Sequence, residues 1–233
     1  MPRTRGTKRR RAATKNGSAS AAASSSAEVA TERLSDPSHA ETVLKGLERL
    51  WRNGDLCDLT LRCCSDAAEE PTEVVVHSAV VAAVSRPLEQ MLVGPMASVD
   101  DGVLTLGPGV DGASLRSVVE FMYTGELELT ESTTFSVLEA TEYLDVQGAK
   151  SLSAGFLSEN VSPENALGMV AAAERFGCAE LLTEARGCVA AHFGEVSLSG
   201  EFLTLSAEEV RSIAELDTLR VTGELVVLEA LVR

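Results

Sequence analysis

Leu56-Cys57-Asp58-Leu59-Thr60-Leu61, followed beyond a polar loop by Val74-Val75-Val76-His77, is the stretch on which the fold turns. Its first half alternates strictly, with Cys57, Leu59 and Leu61 on one face and Asp58 and Thr60 on the other, the pattern of a half-buried strand. The run of three valines after Pro71 is β-branched throughout and reads as a second strand paired with the first. His77 ends it. Ala79, Val80, Ala82, Ala83 and Val84 are then dense enough for a buried helix, which Pro87 stops near Ser85-Arg86. A second short helix, from Pro87 to Leu92, starts on that proline.

On the N-terminal side, Val43, Leu47, Leu50 and Trp51 recur at i, i+4, i+7 and i+8, predicting an amphipathic helix from His39 that Gly54 closes. This helix carries the single tryptophan, and its stripe needs a surface to cover it. On the C-terminal side, Gly94-Pro95 opens a loop. Val103 to Leu106 reads as a short strand, and Gly107-Pro108-Gly109 as a break. Leu115, Val118, Val119 and Met122 form one face of a core helix ending at Tyr123-Thr124-Gly125. Glu126-Leu127-Glu128-Leu129 alternates as a further strand, and helices are expected around Val137 to Leu144 and Gly148 to Phe156.

These residues resemble the BTB/POZ family. The family reads approximately Cys-Asp-hydrophobe-x-Leu, then a hairpin, a strand ending in His and a helix ending in Ser. Here those positions are Cys57, Asp58, Leu59, Leu61, His77 and Ser85. The most specific single signature is Tyr123-Thr124-Gly125 followed by Glu126-Leu127. Two departures are Ser78, where the family carries a basic residue, and Leu88, where it carries an aromatic. Beyond Asn160 the pattern is wholly helical. Ser162, Pro163 and Glu164 look like a helix start, with Ala166, Val170 and Ala173 as its buried stripe and Gly177 as its end. A second helix carries Leu181, Leu182, Ala185, Val189 and Phe193. Ser206 with Glu209 forms a capping box, and Leu205 with Val210 a hydrophobic staple. This run resembles the BACK domain that follows BTB in kelch-type proteins, although no kelch repeat with paired glycines follows within the 233 residues. The fold class expected is therefore α+β. It consists of a disordered basic tail (1–38), a BTB/POZ fold with a small sheet flanked by helices (39–156), and the N-terminal part of an all-α BACK array (157–233). A chain stopping at Arg233 would leave the apolar face of Leu225, Val226, Leu228 and Leu231 to a further segment or a partner.

Charge and composition narrow the function. Residues 1–15 carry seven Lys or Arg and no acid, while residues 16–233 carry 13 basic and 35 acidic groups, a net −22. So acidic a body argues against a nucleic-acid-binding face and fits a protein partner. The cluster Lys8-Arg9-Arg10-Arg11 reads as an import signal or loose anionic tether on one side, and as a plain solvated terminus or transit-like leader on the other. Five cysteines without a Cys-x-x-Cys pair or a secretory leader point to a reducing compartment, cytoplasmic or nuclear. Cys178 and Cys188 read as small core hydrophobes. His39, His77 and His192 form no zinc signature, so no metal or other cofactor is expected. No run is long and apolar enough to span a bilayer.

No nucleophile with its base, paired carboxylates or phosphate loop occurs in recognisable spacing, so the chain does not read as an enzyme. The nearest approach to a catalytic pair, Asp58 with His77 across the hairpin, reads as one buried histidine satisfied by one carboxylate. The resemblance implies two surfaces instead. One is a head-to-head homodimer interface on the first helix, with Val43, Leu47, Leu50, Trp51, Asp58 and His77. The other is a cullin-docking loop after the Pro87 helix, where a hydrophobe is followed two places later by an acid. Here that spot is Met96-Ala97-Ser98, with Tyr123 nearby and Asp100 and Asp101 as the nearest acids. The function implied is a homodimeric substrate adaptor for a cullin-RING ubiquitin ligase, with its substrate protein unnamed. The alternative is a nuclear BTB scaffold in transcriptional regulation, acting through protein partners.

Overall fold

The computed structural model describes residues 35–63, 71–94, 97–215, 219–220 and 227. The first element, α1 (His39–Asn53), has Glu41 in its first turn and Arg52 in its last, both favourable to the helix dipole. Gly54 closes it with φ 72°, its N–H reaching the carbonyls of Leu50 and Trp51. β1 (Leu59–Cys63) and β2 (Thr72–Val76) pair antiparallel, with Leu59 opposite Val76 and Leu61 opposite Val74. β3 (Val103–Leu106) runs parallel to β1, so the sheet order is β2-β1-β3. A parallel neighbour requires a crossover. The crossover contains α2 (Ser78–Val84) and α3 (Arg86–Val93), which meet at an elbow where Ser85 caps α3 by accepting the Leu88 N–H.

The alternation predicted for the first strand is real, shifted by one step. Leu59, Leu61 and Cys63 are its buried side chains, while Cys57 lies ahead of it and is half-buried. Val76, Leu104 and Leu106 complete the buried face of the sheet. Onto this apolar cluster α4 (Gly112–Thr124) packs Leu115, Val118, Val119, Met122 and Tyr123. Each such side chain removed from water contributes about 1.5–3 kcal/mol. Asp111 caps α4, accepting the N–H groups of Ala113 and Ser114. The first residue of α4 has to be glycine, because a Cβ there would lie 2.1 Å from Thr72 Oγ1 and 2.7 Å from its Cβ. Gly112→Ala is expected to cost about 1–3 kcal/mol by overpacking the contact between α4 and β2, readable as a lower urea midpoint at unchanged m-value.

The helical continuation comprises α5 (Thr134–Tyr143), α6 (Gln147–Glu159), α7 (Ala166–Phe176), α8 (Ala179–Ala191), α9 (Phe193–Val196) and α10 (Ala207–Ala214), with a short 3-10 turn at Phe202–Thr204. On α5, Val137 and Ala140 belong to the sheet cluster, whereas Leu138 joins Leu157, Met169, Phe176 and Leu181 in a second one. One helix therefore serves both cores. A third cluster gathers Leu167, Val189, Val196 and the edge-to-face pair Phe193 and Phe202, whose ring centroids are 5.9 Å apart. The capping box of Ser206 and Glu209 is present in full, and Leu205 and Val210 both pack on this cluster.

Three local expectations are corrected. Glu126 to Leu129 is not a strand. Leu127 and Leu129 pack half-buried on the sheet cluster, but alternation needs only one apolar wall and not a hydrogen-bonded neighbour. Ser162 does not cap α7. Asn165 Oδ1 accepts the Ser162 N–H at 2.8 Å and Asn165 Nδ2 donates to the Asn160 carbonyl at 3.0 Å, so residues 163–165 form a turn and the helix starts at Ala166. Phe193 belongs to the separate short α9 rather than to α8. The basic cluster Lys8 to Arg11 and the apolar positions Leu225, Val226, Leu228 and Leu231 lie outside the described residues.

Candidate interaction surface

Tyr123, at the end of α4, is the hub that fastens α1 to the sheet. It is fully buried, and its ring stacks on Trp51 with centroids 4.6 Å apart and planes within 5°. Its hydroxyl accepts the His77 backbone N–H at 2.9 Å and lies 2.9 Å from His77 Nδ1. With the backbone donor taken, the phenolic proton goes to Nδ1. Nε2 then carries the imidazole hydrogen and donates it to the Asp55 carbonyl at 3.0 Å, a tautomer assigned from the network. Burial pushes the Tyr123 hydroxyl pKa up, so it stays a proton donor. Trp51 Nε1 donates to the Val75 carbonyl at 3.1 Å, blunting one position on the edge strand β2. Arg52 sits 5.6 Å from the Trp51 ring centroid and bridges Glu48 and Glu120, joining α1 to α4 on the outside.

This network corrects the pairing of Asp58 with His77. Asp58 is exposed and turns to the start of α2, where Oδ1 accepts the Ser78 N–H at 2.7 Å and Oδ2 the Ser78 hydroxyl at 2.6 Å. The Ser78 hydroxyl, and after it the Ser78 N–H, hold the Asp58 carboxyl below its ordinary range. Ser78, where the family carries a basic residue, thus takes over Asp58. A carboxyl with a depressed folded pKa stabilises above its unfolded value and loses that contribution as pH falls through the folded one. Ser78→Ala is therefore expected to be less stable than the parent at neutral pH. The gap should close as pH drops below the unfolded Asp value of about 3.9, as followed by urea titrations across that range.

The inward turn of Trp51 and Leu47 leaves the rest of the α1 arc uncovered. None of its 15 residues is fully buried, and Val43 and Leu44 remain 45% and 40% exposed. Leu44 was not in the stripe read from the sequence. At 100° per residue the apolar positions 43, 44, 47, 50 and 51 share one arc of about 120°, and the place of Leu44 on that arc was the available signal. Beyond the other end of the helix, Leu56 is 79% exposed in a left-handed conformation, φ 59°, that bulky residues seldom adopt. Between α1 and α4 runs a groove of about 470 Å³ bordered by Leu44, Glu48, Arg52, Glu120, Thr124 and Glu126.

In the stretch from which cullin docking is expected, Ala97 N–H donates to Gly94 O and Ser98 N–H to Met91 O at the end of α3, each at 3.1 Å. Ser98 is exposed, and Met96 lies outside the described residues. Tyr123 cannot take part in docking as expected from the sequence, because its whole side chain is consumed by the Trp51 stack and the His77 bonds. Next to Ser98, Asp100 and Val103 exchange both backbone hydrogen bonds around Asp101 and Gly102, at φ 48° and 78°. Two successive left-handed residues make this a tight primed turn, for which Asp-Gly is a preferred pair. Among the described residues, Cys57, Cys178 and Cys188 are free thiols, and burial pushes the pKa of each up.

A three-stranded sheet behind an amphipathic first helix, continued by paired helices that share its core, defines a BTB–BACK interaction protein. Residues 47–161 match the BTB/POZ domain and residues 166–233 match the BACK (BTB And C-terminal Kelch) family, and the chain belongs to this family of non-catalytic interaction modules. Among its relatives, human Kelch-like protein 2 is 32% identical over 197 residues, and human Kelch-like protein 3 is 31% identical over 197 residues. Each alignment covers 84% of this chain and 32% of the relative, so the chain spans about a third of the length of these curated proteins. No helix of the described residues is long and apolar enough to cross a membrane.

Proposed function

We propose that the protein is a homodimeric adaptor for a cullin-RING ubiquitin ligase, working in the cytoplasm, the nucleus or both. The observation that carries the dimer is α1, a strongly amphipathic helix of 15 residues with none fully buried and with Val43 and Leu44 facing out. A self-complementary face of this kind, with the groove beside it, fits a two-fold contact with a second copy. His77, Leu47 and Trp51 shape that face from behind, while Val43, Leu44 and Leu50 meet the partner. Cullin docking is assigned to the loop from Gly94 to Ser98, on the similarity to the BTB family and on Met96 as the apolar anchor. The substrate protein would be held elsewhere.

Light scattering of the full chain, alone and with a cullin N-terminal domain, tests both halves. A dimer that shifts to a larger complex supports the adaptor. A dimer that ignores the cullin at high concentration removes the ligase half and favours the alternative, a nuclear scaffold acting through protein partners. A monomer overturns the assignment of the α1 face.

A further inference from the structure

Only two serines in the 233 residues have acids at both the second and third following positions, Ser98 (Ser-Val-Asp-Asp) and Ser206 (Ser-Ala-Glu-Glu). Sequence alone treats them as equivalent, and the structure separates them. Ser206 is locked at the start of α10. Its hydroxyl accepts the Glu209 N–H at 3.3 Å, and the Glu209 carboxylate turns back to accept the Ser206 N–H at 2.6 Å. Both the acceptor and its defining acid are occupied by the cap. Ser98 lies in an exposed stretch without secondary structure, and its hydroxyl makes no hydrogen bond to another described residue. Asp100 and Asp101 are exposed as well, and the primed turn at Asp101-Gly102 holds them outward beside it.

We infer that Ser98 is a phosphorylation site for a serine kinase that reads acidic side chains downstream of its acceptor, and that the phosphate governs cullin docking; the second clause rests on the adaptor reading above. In the transfer, Ser98 Oγ bonds to the γ-phosphorus of ATP as the bond from that phosphorus to the β–γ bridging oxygen breaks. ADP leaves, and the hydroxyl proton goes to the kinase's aspartate base. The product adds about −1.5 to −2 charge and three strong acceptors, two positions after Met96. Two features keep the phosphate from turning inward. The carbonyl end of α3, held to this loop through Met91 O, disfavours an anion, and Asp100 and Asp101 repel it. It therefore stays available to a cation on a partner, where a charge-assisted bond replaces one that an uncharged hydroxyl cannot make.

The test uses the full chain with MgATP and a purified casein-type acidophilic kinase, with phosphate mapped by mass spectrometry. Incorporation is expected at Ser98 and not at Ser206. It should be lost in Ser98→Ala and strongly reduced in Asp101→Asn, which keeps a residue tolerant of the left-handed turn. No phosphate on Ser98, or preference for Ser206, overturns the proposal. The phosphorylated chain and Ser98→Glu are then titrated with a cullin N-terminal domain, and about tenfold tighter binding than the unmodified chain is expected. Phosphate on Ser98 with unchanged, measurable cullin affinity overturns the switch. Phosphate on Ser98 with no cullin binding in any form overturns the adaptor reading and leaves the modification site standing.

Discussion

Replacing Val43 and Leu44 together by aspartate is expected to turn the proposed dimer into folded monomers. The two side chains are 45% and 40% exposed in the single chain and lie outside the sheet cluster that Leu47 and Trp51 join. Their substitution therefore removes little from the core. Across a two-fold axis the pair counts twice, so four apolar side chains leave the interface and four carboxylates enter it. Burying a Val or Leu fully is worth about 1.5–3 kcal/mol, and like charges facing each other oppose association further. A rise in the dimer dissociation constant of at least about 100-fold follows, measurable by sedimentation equilibrium, with the melting temperature changed by no more than about 3 °C. Leu47→Asp should do the opposite and depress the melting temperature first, since Leu47 packs inward. A Val43 and Leu44 double variant that stays dimeric would place the contact elsewhere.

Tyr123→Phe is expected to lower the unfolding free energy by about 2–4 kcal/mol, because it leaves two buried groups without a partner. The ring can still stack on Trp51, so the hydrophobic part of the contact survives. What disappears is the oxygen that accepts the His77 N–H and pairs with His77 Nδ1, both at 2.9 Å and both buried. The other tyrosine is a built-in control. Tyr143 Oη accepts a single bond, from the part-buried Gly107 N–H at 3.0 Å, and Tyr143→Phe should cost about 1 kcal/mol. Urea unfolding followed by Trp51 fluorescence reads both variants. Equal losses would mean that His77 finds another partner and that Tyr123 acts through its ring alone.

Ser85 shows how far a family motif can be read from the chain. Its place at the end of a helix was legible from Pro87 two residues later, since proline has no N–H to carry on the preceding helix and its ring clashes with the carbonyl four residues back. Its use was not. The hydroxyl donates to the Leu144 carbonyl at 2.6 Å, 59 residues away, while accepting the Leu88 N–H. Asp58 and His77 teach the same lesson from the other side. They are near in the hairpin, yet each is satisfied by a different group, and nothing in a one-dimensional pattern says which of several polar neighbours wins a buried hydrogen bond.

The elements themselves were written in the residue pattern. Alternation at Leu59 and Leu61, the 3.6-residue spacing of Leu115, Val118, Val119 and Met122, the stop at Pro87 and the Ser206–Glu209 box are short-range signals. Their physics is complete within a few neighbours, so they survive whatever the rest of the chain does. The parallel pairing of β3 with β1, the failure of Glu126–Leu129 to join the sheet, the burial of Tyr123 and the exposure of Leu44 were settled by the fold. Each depends on which surfaces the packed core offers. The apolar arc of α1 is covered only where the core reaches it, and the position of α4 and the sheet decides which part stays outside.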